Sequence, residues 1–144
     1  MIITMFAALN MTACTTDKAR SEKVAKGLAS LICEGDILED PRITREHIDE
    51  LKHYSGSRED ILIKDREVML PDINTALYGR GITEKDVEAF ASSLMTDSSR
   101  HKAIEIIATS VNEQCLEIYL KKNSEIQYAM AAIIIWYTDP EYYR

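Results

Sequence analysis

Apolar side chains in this chain recur at helical spacing, and that period restricts what it can fold into. Val24, Leu28, Leu31 and Ile32 follow i, i+4, i+7 and i+8, one stripe of a 3.6-residue period. Ile104, Ile107, Val111, Cys115 and Ile118 form a second, near-heptad stripe. Residues 129–137, Ala-Met-Ala-Ala-Ile-Ile-Ile-Trp-Tyr, are apolar at every position. That run is too short to span a bilayer and reads as a helix buried on most sides. Long β-branched alternation is absent, and three prolines and five glycines are few for a β domain that needs frequent turns. The pattern predicts an all-α fold, a small irregular bundle of about six helices. With 144 residues, 46% of them hydrophobic and 28% charged, the chain has one domain's length and an ordinary globular composition.

Capping residues divide the chain. A first helix is expected over Asp17 to Glu34, closed by Gly35 in a left-handed conformation. A loop from Asp36 to Ile43 follows, with Pro41 in it. Thr44 is the N-cap of a short second helix running to about His53, with Ile43 and Ile48 as its hydrophobic staple. Ser57, with Asp60, caps a third helix carrying Ile61, Leu62, Val68 and Met69, which Pro71 should break or kink. Gly79 and Gly81 close the turns that run to Tyr78. Thr83 and Asp86 form the next capping box, and Ile82 and Val87 its staple. The likeness of residues 43–49 to 82–88 could mark a duplicated helical unit, but a shared capping motif explains it more simply, since nothing around it aligns. Thr96 or Asp97 caps the longest helix, Ser98 to about Lys122. A last helix runs from Glu125 to Tyr137.

The charge excludes one class of partner. A net charge of −7, with Lys18, Arg20, Lys23 and Lys26 interleaved with Asp17 and Glu22, describes a solvated helix face rather than a groove that tracks phosphates. No nucleic-acid binding is expected. Nor does any string read as an active site or a cofactor site. Ser55-Gly56-Ser57 is turn chemistry, and Gly79-Arg80-Gly81 lacks the Lys-Ser/Thr of a phosphate loop. His47, Glu50 and His53 share one side of a short helix and could hold a cation, but a solvated polar face explains them more simply. The chain is read as not an enzyme, with no cofactor.

The N-terminus carries an address. Residues 1–13 contain no charge and end in Met11-Thr12-Ala13 before Cys14. This resembles the lipobox of bacterial lipoproteins, in which an aliphatic residue and two small ones precede a cysteine that is acylated and becomes the first residue of the mature chain. Met11 stands where that family prefers Leu, and no Lys or Arg precedes Lys18 as the start of a signal peptide would require. The resemblance implies a signal segment over 1–13, a single helical domain over 14–144, and a lipid on Cys14. Thr15, not Asp, after the cysteine implies the outer membrane, on its periplasmic face. The other reading is a cytoplasmic protein whose first helix buries Met1, Ile2, Met5, Phe6 and Leu9, with Cys14 a core thiol.

If Cys14 is lipidated, Cys33 and Cys115 remain as an even pair in an oxidising compartment. Two buried thiols in a reduced cytosol would look the same in the sequence. Aromatic residues gather late in the chain, and Trp136, Tyr137, Tyr142 and Tyr143 are the candidates for a partner-binding surface. The expected function is therefore a tethered, helical, protein-binding module of adaptor, pilotin, exclusion or immunity type. Its partner is another protein or a second copy of the chain. The alternative is a cytosolic adaptor or regulator.

Overall fold

A computed structural model describes residues 2–40 and 58–139, with side chains from 16 to 40 and from 65 to 139. Six helices, and no strand among the described residues, make an all-α bundle. They are α1 (Ile2–Glu34), α2 (Asp36–Glu39), α3 (Arg58–Tyr78), α4 (Glu84–Ser92), α5 (Asp97–Lys121) and α6 (Asn123–Tyr137). No described helix is long and apolar enough to cross a membrane.

The backbone of α1 runs unbroken past Cys14, from Ile2 to Glu34. Its predicted stripe forms the centre of the core: Val24, Leu28 and Ile32 have no exposed surface, and Leu31 is buried. Gly35 ends it at φ +90°, the left-handed conformation that a residue with a Cβ adopts at a cost. Part of the predicted loop beyond it is the single turn α2, because Ile37 and Leu38 are both buried and fold back onto the bundle. The predicted helix over Thr44 to His53, with its Ile43 and Ile48 staple, lies outside the described residues. So does the Ser57 cap.

Pro71 does not break α3, which continues through it. A proline in a helix frees the carbonyl four residues earlier, here that of Glu67. Glu67 and Pro71 are both exposed, so water can take the freed group. The end of α3 is a Schellman motif. Gly81, at φ +81°, donates its N–H to Tyr78 O at 3.0 Å, and Ile82 donates to Leu77 O at 3.2 Å. Ile82 and Leu77 are buried together against α1.

The predicted box at the start of α4 and the predicted cap at the start of α5 are present. Asp86 N–H donates to Thr83 Oγ1 (3.2 Å) and Thr83 N–H to Asp86 Oδ2 (2.8 Å). Thr96, not Asp97, caps α5, with Ser99 as the returning acceptor.

Contacts along the seams fix the directions of the helices. Ser21 meets Ser93, and Lys23 meets Asp86, so α4 runs antiparallel to α1. Ser30 Oγ donates to Gln114 Oε1 at 2.8 Å, while Asp17 and Ser99 line one cleft, so α1 and α5 run parallel. Helix α6 turns back beside α5, where Gln127 Nε2 donates to Tyr119 Oη at 3.3 Å.

Candidate functional site

Cys33 lies one residue before the end of α1, and Cys115 lies in α5 at a break in its helical geometry (φ −150°, ψ 59°). The two sulphurs are at bonding distance, with Cα atoms 5.7 Å apart and 82 positions between them in sequence. Both residues are half-buried. The break turns α5 where it meets the last turn of α1. Beyond it come residues 116–121, past the end of α1 at Glu34. Leu116 and Leu120 are exposed there.

Cys14 sits toward the other end of α1. At 1.5 Å of rise per residue it precedes Asp17 by about 5 Å along the axis. Asp17, Lys18, Ser21 and Glu22 form one wall of a cleft of about 480 Å³ whose other walls come from α4 and α5. Ala89, Ala103 and Ile106 provide apolar surface in it, and Lys102 adds a second ammonium group. Its hydroxyl groups serve the fold. Ser93 Oγ donates to Phe90 O at 2.6 Å and stands 3.3 Å from Ser21 Oγ, and Ser99 closes the α5 capping box. Such a cleft can seat a side chain or a small apolar group.

Asp86 is a buried carboxylate with partners on two helices. It caps α4, accepts from Lys23 Nζ at 3.4 Å, and has Arg20 Nη1 at 3.7 Å. The Thr83 N–H is the main cause that holds its carboxyl below the usual aspartate range. Burial opposes that shift, and the Thr83 side chain and the Lys23 charge add to it. Lys23 Nζ also donates to Gly81 O at 3.0 Å, so one ammonium joins α1, the α3 terminus and α4. The sequence marks the Thr83–Asp86 box because its partners are three residues apart. It carries no signal for Lys23, 63 positions away.

Of the aromatic candidates, Trp136 and Tyr137 lie in the core. Trp136 has no exposed surface and Tyr137 very little, so neither lies at a surface that a partner could cover. The reason is enclosure: α6 packs against α3 and α5, with α2 at its end, and the apolar run is covered by the domain itself. Tyr137 stacks edge-on against Phe90, with ring centres 5.5 Å apart, and its hydroxyl donates to Asn74 Oδ1 at 2.6 Å. Burial raises the Tyr137 phenol well above the ordinary tyrosine value, and neighbouring Tyr78 adds to the shift. Arg66 Nε donates to Trp136 O at 2.5 Å. Tyr142 and Tyr143 lie outside the described residues, as do His47, Glu50 and His53. Among the described residues no group of three His, Cys, Asp or Glu side chains is placed to hold a metal ion. Exposed apolar residues that the sequence did not single out include Met95, Leu116 and Leu120. No family model, curated protein or solved structure matches the chain.

Proposed function

We propose that this protein is a bacterial lipoprotein: a helical domain tethered by a lipid on Cys14 at the periplasmic face of the outer membrane, acting by binding protein rather than by catalysis. The observation that carries the reading is the use of the three cysteines. Cys33 and Cys115 lie at bonding distance, as suits an oxidising compartment, which leaves Cys14 as the odd thiol. It is also the cysteine preceded by Met11-Thr12-Ala13.

A second reading rests on the unbroken α1 backbone, which suits a cytoplasmic adaptor that keeps residues 1–13 as part of its first helix. Intact mass of the protein expressed from its native upstream region in a bacterium separates the two. A chain that begins at Cys14 and carries diacylglyceryl mass, lost in Cys14→Ser, is expected. An unmodified chain that retains residues 1–13 in the soluble fraction would replace the first reading with the second.

A further inference from the structure

The end of the bundle farthest from Cys14 carries a surface that neither the core nor the proposed anchor uses. Past the break at Cys115, residues 116–121 of α5 extend beyond α1, with Leu116 51% and Leu120 69% exposed. The two leucines are one helical turn apart and form a single column. Glu117 and Lys121, both exposed, form the column beside it. Among the described residues neither Glu117 nor Lys121 is in an ion pair.

We infer that this overhang is a self-association surface, on which two copies of the chain pair antiparallel about a two-fold axis. The order of the charges selects that partner and that direction. In an antiparallel pair Leu116 faces Leu120 of the other copy, and Glu117 faces its Lys121. Each contact then occurs twice, as a two-fold interface requires. A parallel two-fold pair puts the Glu117–Lys121 columns of the two copies on opposite sides of the seam, so neither opposite-charge contact forms. The leucine column supplies apolar area, and the flanking charges set register and direction, as they do beside a coiled-coil seam. Two leucines cover far less than the roughly 800 Å² per partner of a stable complex. The pair is therefore weak, with a Kd on the order of 1 mM, and it exchanges fast. It is independent of the reading of Cys14.

The test follows amide chemical shifts of the full chain on dilution from about 1 mM. In the wild type the shifts of residues 116–121 should move with concentration. Glu117→Lys presents only lysines to its copy and Lys121→Glu only glutamates, so each alone should bind itself at least about fivefold more weakly. An equimolar mixture of the two restores both opposite-charge contacts and should regain the wild-type concentration dependence. Leu120→Gln should remove it. All three positions are exposed, so the variants keep the fold, and circular dichroism checks this. Association through the uncharged residues 1–13 would be indifferent to the charge exchange. Unchanged self-association in the single variants, or a mixture that fails to regain it, overturns the inference.

Discussion

Gly27 of α1 and Ile82, the residue after the left-handed Gly81, compete for one space. A Cβ at position 27 would overlap Cδ1 of Ile82 and stand 3.0 Å from Cδ2 of Leu77. The Schellman turn pushes its two apolar residues into α1 where α1 has no side chain. Gly27→Ala gains about 1 kcal/mol of helix propensity and forces the contact apart at a cost of about 1–3 kcal/mol. A net loss of about 1 kcal/mol in urea unfolding is expected. A stabilised variant would show that Ile82 moves aside freely.

The Cys33–Cys115 pair should hold a large share of the stability. Closing a loop of this length is worth about 4 kcal/mol in the chain-entropy picture. Denaturation with and without reductant should differ by about that amount. Protein isolated without reductant should offer no alkylatable thiol at either position after unfolding.

Acid should weaken the α1–α4 seam through Asp86. Its carboxyl takes up a proton more readily in the unfolded chain than in the fold, so its contribution is complete above the ordinary value of 3.8. It is lost as pH falls through the lower value it has in the fold. The stability gap between wild type and Asp86→Asn should be constant near neutrality and close progressively below pH 3.8. A gap independent of pH would show that the carboxylate charge contributes nothing there.

Tyr137 works in the opposite direction. Its phenol is raised in the fold, so the unfolded chain, with the ordinary value of 10.0, ionises first. Stability is full below that pH and falls as alkali is added above it. Tyr137→Phe should remove part of the alkaline slope and cost about 1 kcal/mol at neutral pH, from the lost bond to Asn74.

The lone tryptophan reports on the core. Trp136 is fully buried, so emission should be that of an apolar site and shift to longer wavelength on unfolding. Trp136→Ala should cost about 3–5 kcal/mol. An emission maximum typical of a solvated indole in the native protein would place α6 at a surface after all.

Features whose causes lie within a few residues were legible before the fold. Gly35, the Thr83–Asp86 box and the Val24–Ile32 stripe depend on spacing along one helix, and each is where the pattern put it. Of the break or kink expected at Pro71, the break does not occur, because the cost of a proline depends on which carbonyl it frees, and Glu67 is exposed. Trp136 and Tyr137 were misplaced because an apolar run states that it must be covered, not by what. The covering helices, α3 and α5, are distant in sequence. Leu116 and Leu120 lie off the Ile104–Ile118 stripe, about half a turn round the helix from Ile107, and their exposure agrees with that period. The candidate address at Cys14 is local in the same way as the caps, whereas the cleft beside it needs three helices to exist.

The parallel run of α1 beside α5, joined by sulphur near the C-terminal end of α1, gives the bundle a mechanical direction. Tension applied at the N-terminal end of α1 and borne at the far end of α5 would slide one helix along the other. Every contact on that seam, from the Asp17–Ser99 cleft to the Ser30–Gln114 bond, would then be strained together rather than peeled one at a time. Such shear is resisted by the sum of the contacts, and the Cys33–Cys115 link would stop the sliding before the core of α1 cleared its neighbours.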